Sequence, residues 1–214
     1  MSSHDHPHDH TPIADGNEAA PGYYEIMETA VRELLTEKKL ITAGEIRRQI
    51  EVLDSRNPAL GAKVVARAWV DPEFRARLLS NGRRACEEFG ISFYDDTQLI
   101  VLENTERVHN LIVCTLCSCY PRPVLGLPPD WYKVKPYRAR AVKEPRKVLE
   151  EFGTEIPEDV EIRVSDSTAI VRYLVLPQRP VGTQDWSEEQ LAALVTRDAM
   201  IGVIKVNLDN GSAV

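Results

Sequence analysis

The sequence predicts an α+β fold: an N-terminal helical arm followed by a mixed α/β-layered domain. Two observations predict it. Residues 23–90 carry apolar side chains at helical spacing, with capping residues between the runs. After Gly90, short β-branched runs stand beside helices without a regular βαβ rhythm. The size agrees, because 214 residues, 43% of them hydrophobic and 28% charged, suffice for a buried core in one or two domains.

Taken in order, residues 1–22 read as a disordered tail. His4, His6, His8 and His10 alternate there with Asp5, Pro7 and Asp9, and no Lys or Arg is present. The tail is either a solvated segment or purification remnant, or a weak gatherer of divalent metal. Residues 23–90 form the arm. Tyr24, Met27, Val31, Leu34 and Leu35 share one helical face. Thr42 and Glu45 make a capping box that opens a helix through Ile46, Ile50 and Leu53, and Asn57-Pro58 breaks it. A third helix carries Val64, Val65, Ala68 and Trp69. Asp71, Pro72 and Glu73 start a fourth, ended by Asn81-Gly82, and a short helix through Cys86 and Phe89 stops at Gly90. These helices either bundle together or lie on a partner.

Residues 91–214 form the second domain. Gln98–Leu102 and Leu111–Val113 read as strands, residues 130–152 as helix interrupted at Pro145, and Val160–Val164 and Ile170–Leu176 as strands joined by a turn at Ser167 and Thr168. Ser187 with Gln190 is a second capping box, and Ile201–Val206 is expected as a final strand.

Composition narrows the function. Twenty-six basic against 33 acidic residues give a net charge of −7, which argues against a nucleic-acid binder with a basic surface. No apolar run is long enough for a membrane span, and the start lacks the basic and apolar stretches of a secretory signal, so the cytoplasm is the expected compartment. Three of the four cysteines fall within six residues, too tight for a secreted disulfide framework.

Those three carry the chemistry, in Val113-Cys114-Thr115-Leu116-Cys117-Ser118-Cys119-Tyr120-Pro121-Arg122-Pro123. Cys114 and Cys117 are three apart and Cys119 is two further on, so a loop that folds back brings three thiolates to one ion. The Cys-Ser-Cys rings hold the Ser118 and Cys119 amides against that ion. A strongly acidic trivalent ion displaces their protons, giving two sulfurs and two nitrogens in a plane, the third sulfur axial and a sixth position open. Hard–soft matching favours cobalt or iron in such a field, acting as a Lewis acid on water or a triple bond. Three other readings stay open: a structural zinc with His109 as fourth ligand, a redox Cys-x-x-Cys pair, and an iron–sulfur cluster. Cys86, alone in a helix, reads as buried filler.

The loop resembles that of nitrile hydratase alpha subunits, in the cobalt form, because Thr115 stands where iron-type members usually have serine. The resemblance spans nearly all of residues 23–206. It includes Asn104-Thr105, Leu125-Gly126-Leu127-Pro128-Pro129, Trp131-Tyr132, Tyr137-Arg138-Ala139-Arg140, Glu144-Pro145-Arg146, Arg179-Pro180 and Val195-Thr196-Arg197-Asp198. It implies that residues 91–214 form a metal-binding domain of nitrile hydratase alpha type. Co(III), or alternatively Fe(III), would be held by Cys114, Cys117, Cys119 and the backbone nitrogens of Ser118 and Cys119. Cys114 would be the axial thiolate, Cys117 a sulfinate and Cys119 a sulfenate. Cys119, Cys117 and Ser118 are then the catalytic candidates. The implied reaction hydrates a nitrile to its amide, with water or the sulfenate oxygen attacking. The implied partners are a beta subunit or two beta-like subunits, whose arginines hydrogen-bond the oxidised sulfurs, together with an activator or metallochaperone protein and a small-molecule nitrile.

Two departures bear on the substrate pocket, whose candidates are Arg122, Tyr120 and Gln98. Arg122 stands where ordinary members have an aromatic residue. The Tyr-Pro-Arg-Pro form is similar to thiocyanate hydrolase gamma subunits and to three-subunit, toyocamycin-type nitrile hydratases. An arginine there suits an anion or a polar heterocycle, or an ion pair with a partner subunit. The family's upstream glutamine falls by count on Asp95, with Gln98 the nearest glutamine, and the stretch from Tyr94 to Thr97 is short. The alternatives to a nitrile hydratase are therefore a thiocyanate hydrolase gamma-like subunit, releasing carbonyl sulfide and ammonia, and a non-catalytic or metallochaperone-like member.

Overall fold

The computed structural model describes residues 22–93, 96–116 and 119–208. The four tail histidines, Tyr94, Asp95, Cys117 and Ser118 lie outside them. The chain divides into two compact units, Met1–Ile50 and Glu51–Val214.

The first unit holds α1 (Tyr23–Glu37) and the start of α2 (Ala43–Asp54). The Thr42–Glu45 capping box forms as expected: the Thr42 amide donates to Glu45 Oε2 at 2.7 Å and the Glu45 amide to Thr42 Oγ1 at 3.2 Å. These bonds favour the Glu45 carboxylate and lower its pKa. Neither helix buries a residue. Tyr24, Met27, Val31 and Leu34, all on the apolar face of α1, are exposed.

The second unit begins with α3 (Pro58–Val70), α4 (Pro72–Ser80) and α5 (Gly82–Glu87). Asn57 accepts from the Ala59 amide and Asp71 from the Phe74 amide, each followed by proline at the first helical position. Asn81 does more than end α4, for its side chain also caps α5 through the Arg84 amide at 3.0 Å. α3 buries Val64, Val65 and Ala68, and Trp69 Nε1 donates to the Pro177 carbonyl at 2.8 Å.

Four strands follow among the described residues: β1 (Gln98–Glu103), β2 (Val108–Val113), β3 (Glu161–Asp166) and β4 (Val171–Leu176). β1 pairs in parallel with β4, Gln98 opposite Val171. β2 pairs in parallel with β3, Val113 opposite Asp166. So β3 and β4, adjacent in sequence across the Ser167–Thr168 turn, part to different two-stranded sheets. Between β2 and β3 in the sequence come α6 (Arg122–Leu125), α7 (Asp130–Lys133), α8 (Lys135–Lys143) and α9 (Pro145–Glu151). Pro145 breaks the helical stretch as expected, and it starts α9. After β4 come α10 (Glu188–Leu194) and α11 (Arg197–Ile201). The Ser187–Gln190 capping box opens α10 with both reciprocal bonds made. The architecture is α+β.

β2 is buried from His109 to Val113, so its polar members must find partners inside. The Asn110 amide donates to Asn104 Oδ1 at 2.7 Å, and Asn110 Nδ2 donates to the Glu103 carbonyl at 2.8 Å. His109 Nε2 lies 2.7 Å from the Gly202 carbonyl, an acceptor only, so Nε2 carries the hydrogen. Nδ1 is then the acceptor for Asn104 Nδ2 at 3.3 Å. Both ring nitrogens are engaged, so His109 is not the fourth ligand that a zinc site requires.

Burial lowers the pKa of His109, with nearby Lys205 adding to the effect against the opposing hydrogen bond to Gly202. Near pH 6.5 and just below, the unfolded chain binds more protons than the folded one. Stability therefore falls as pH drops from about 6.5 toward the depressed folded value. In thermal unfolding at pH 7.5 and 5.5, His109→Gln is expected to show a smaller acid-side loss than wild type. An equal loss in both would show that another group carries it.

The final strand expected at Ile201–Val206 does not form. Thr196 accepts from the Ala199 amide and starts α11, which continues to Ile201. Gly202, at φ 93°, ends it in the left-handed region, with its amide bonded to the Asp198 and Ala199 carbonyls. The β-branched run is buried because it packs on the strands, and a helix followed by a turn satisfies its backbone. Local propensity is overridden by capping.

Candidate metal centre

β2 delivers Cys114 to the start of the loop, 1% exposed. The next residue is fixed from three directions. The Thr115 amide donates to Asp166 Oδ1 at 2.9 Å, and its hydroxyl donates to Asp166 Oδ2 at 2.5 Å. The Thr115 carbonyl accepts from Arg138 Nη1 at 3.2 Å. Asp166 reaches Thr115 because it ends β3, in parallel register with Val113 at the end of β2. The Ser167 amide extends that ladder by donating to the Val113 carbonyl at 2.7 Å.

At the far end of the loop, Tyr132 donates its hydroxyl to the Cys119 carbonyl at 2.9 Å. Cys119 is half-buried. An aromatic floor runs beneath: Tyr120 packs edge-on to Tyr132 with centroids 5.2 Å apart, and Trp131 packs on Tyr137 at 4.9 Å and on Phe152 at 4.8 Å. Tyr137 also donates to the Ile112 carbonyl at 2.8 Å, tying the floor to β2. Burial raises the pKa of Tyr120, Tyr132 and Tyr137, so all three remain neutral phenols.

The residues singled out from sequence are thus distributed. Cys114, Cys119 and Tyr120 belong to one loop and its floor. Cys117 and Ser118 lie outside the described residues, and among the described residues no cluster of three His, Cys, Asp or Glu side chains is assembled. Arg122 is the exposed first residue of α6. Gln98 is exposed at the head of β1 and lines a cleft of about 450 Å³ with Asn81, Arg83 and Thr97, a lining that contains no loop residue. Cys86 is fully buried on α5, and desolvation pushes its thiol pKa up to about 12, as suits inert filler. Sequence reasoning gave no role to Asp166, and Arg138 and Tyr132 were visible only as parts of shared motifs. Asp166 lies 51 residues from Thr115, with no local pattern to mark it.

This arrangement fits a thiolate-bound ion. A buried cysteine at a strand end and a half-buried one five residues on flank the loop, and backbone groups at both ends are already held by side chains. A soft donor set of this kind suits a transition metal and not magnesium or calcium. The fold and site define an α+β subunit built around a cysteine loop.

The model of the nitrile hydratase alpha chain family matches residues 22–204. The chain is 57% identical over 175 residues to the low-molecular weight cobalt-containing nitrile hydratase subunit alpha of Rhodococcus rhodochrous, covering 81% of this chain and 84% of that one. Among solved structures, a recombinant thiocyanate hydrolase with partially modified cobalt centres matches with a TM-score of 0.82 at 42% identity, over 88% of this chain and 92% of that chain. A double-histidine variant of the Fe-type nitrile hydratase from Comamonas testosteroni Ni1 matches with a TM-score of 0.80 at 45% identity, over 89% and 93%. The chain belongs to the nitrile hydratase alpha family, and is an enzyme subunit of the hydro-lyase class.

Proposed function

We propose that this chain is the metal-bearing subunit of a cobalt nitrile hydratase acting on a polar or nucleoside-like nitrile in the cytoplasm. The observation that carries the reading is the loop from Cys114 to Cys119, pinned at both ends over an aromatic floor. The cobalt-containing relative at 57% identity supports the choice of metal over Fe(III). Among the described residues no helix is long and apolar enough to cross a membrane.

In this reading Cys114, Cys117 and Cys119 give thiolates, and Ser118 and Cys119 give backbone nitrogens. When bound, Co(III) supplies Lewis acidity toward the nitrile. Cys117 is carried as sulfinate and Cys119 as sulfenate. The net reaction adds one water across the carbon–nitrogen triple bond to give the amide. Tyr120 and Tyr132, both buried, pack together next to Cys119. The outer face is open in this chain: Leu116 is 92% exposed and borders a cleft of about 540 Å³ with Arg138 and Val142. A beta subunit, or two beta-like subunits, would cover that face and the exposed apolar side of α1, and an activator protein would assist loading.

Arg122 keeps thiocyanate hydrolysis as the second reading, since an arginine three residues beyond Cys119 suits an anion. Turnover of a neutral nitrile against thiocyanate by the assembled, cobalt-loaded complex separates the two. Amide from the nitrile without carbonyl sulfide from thiocyanate supports the first, and the reverse overturns it. If Arg122 contacts substrate, Arg122→Trp is expected to lower turnover of polar or anionic substrates about 10- to 100-fold relative to a simple aliphatic nitrile, the scale of one charge-assisted hydrogen bond. An unchanged ratio would remove Arg122 from the pocket.

A further inference from the structure

We infer that Asp166 is a positioning residue that shapes the cysteine loop for metal capture, by holding the Thr115 amide and hydroxyl on its two carboxylate oxygens. The inference rests on the metal-subunit reading above.

Asp166 is exposed in this chain, and what singles it out is its geometry. Asp166 is paired in register with Val113, so the carboxylate is anchored by a strand whose partner strand leads directly into Cys114. One oxygen takes the backbone and the other takes the side chain of the same residue. This two-point hold fixes both the backbone direction and the side-chain rotamer of Thr115. Charge-assisted bonds of this kind are about twice as strong as neutral ones. With Arg138 on the Thr115 carbonyl, the peptide groups flanking Thr115 are held on both sides. The direction in which the chain leaves Cys114 is therefore set by side chains outside the loop. Tyr132 holds the Cys119 carbonyl at the other end.

Three thiolates converging from six residues oppose one another electrostatically and lose chain entropy when brought together. A loop whose two ends are already fixed loses less on binding. The chemistry also explains the need for a hydroxyl beside the first cysteine, because valine at position 115 would leave Asp166 Oδ2 without its donor. Partners that orient metal ligands typically govern 10- to 100-fold in metal affinity.

The test uses the complete enzyme, coexpressed with its partner subunit and activator in cobalt medium. Wild type is compared with Asp166→Ala, Asp166→Asn, Thr115→Val and the Asp166→Ala/Thr115→Val double variant. The readouts are cobalt per subunit, cobalt release to a chelator, and oxygen atoms on the loop peptide by mass spectrometry. Melting temperature reports on folding. Asp166→Ala is expected to release cobalt 10- to 100-fold faster and to carry fewer loop oxygens, with melting of the apo complex little changed. Asparagine keeps the acceptor for the Thr115 amide and is expected to restore part of the loss. Adding Thr115→Val to Asp166→Ala should cost little more, because the hydroxyl has already lost its partner.

Wild-type cobalt retention and loop oxygenation in Asp166→Ala would overturn the inference while leaving the metal reading intact. So would equal losses in the alanine and asparagine variants, accompanied by a lowered melting temperature, since Asp166 would then act on folding alone. A wild-type complex that binds no metal would overturn the metal reading, and the inference with it.

Discussion

Replacing Cys114 with alanine is expected to remove cobalt from the assembled enzyme and lower kcat/KM by at least about 1000-fold. The several kcal/mol that a Lewis acid contributes to a polarised transition state set that scale. Among the described residues Cys114 has no substitute nearby. His109 is engaged at both ring nitrogens, and Asp166 is committed to Thr115. Burial at 1% exposure also keeps solvent from filling the position. Cys86→Ala is the matched control. That thiol is buried on α5 and stays protonated, so its loss should trim stability by about 1 kcal/mol and leave cobalt content unchanged. Metal analysis with steady-state kinetics checks both variants. Full cobalt in Cys114→Ala would remove this residue from the ligand set.

The second large effect concerns folding. Gly202→Ala should destabilise the protein by about 3 kcal/mol, lowering Tm by roughly 10 °C. Two penalties combine. Gly202 sits at φ 93°, which an L side chain adopts at a cost, and a Cβ there would collide with the Asn110 carbonyl oxygen. That oxygen is backbone of β2, so relief requires moving the strand that leads to Cys114. The same shift would stretch the bond from His109 Nε2 to the Gly202 carbonyl. Gly153→Ala separates the penalties. Gly153 also has positive φ, 78°, but its Cβ would meet nothing within 4 Å, so only the conformational cost of about 1 kcal/mol applies. Calorimetry on the two variants gives the comparison. Equal losses would mean that the contact with Asn110 is relieved without cost.

Much of the local structure was legible because it is encoded locally. The capping boxes at Thr42–Glu45 and Ser187–Gln190, the Asp71–Pro72 start and the Pro145 break each depend on residues within four positions, and each appears as expected. The Ile201–Val206 run misled for the converse reason. Its β-branched composition suits a strand, but Thr196 and Gly202 bracket a helix there. The pairing of β3 with β2 and of β4 with β1 was not legible, since nothing in two adjacent apolar runs says that they part.

The site divides along the same line. The cysteine spacing is a local signal and marked the loop at once. The groups that hold the loop come from residues 132, 138 and 166, brought in by tertiary structure. Polar residues at those distances carry no mark of their partner. His109 shows the opposite case: a lone histidine near cysteines suggested a ligand, whereas burial on β2 turned both its nitrogens to structural bonds. The apolar face of α1 was visible as a stripe, but a stripe alone does not say what it faces, and in this chain it is exposed.

Anomalous scattering at the cobalt edge from crystals of the assembled, active enzyme decides whether the cysteine loop holds the metal. One cobalt peak per copy of this chain is expected, within bonding distance of the sulfurs of Cys114, Cys117 and Cys119. An enzyme that turns over its substrate with no anomalous peak at those sulfurs would contradict that assignment.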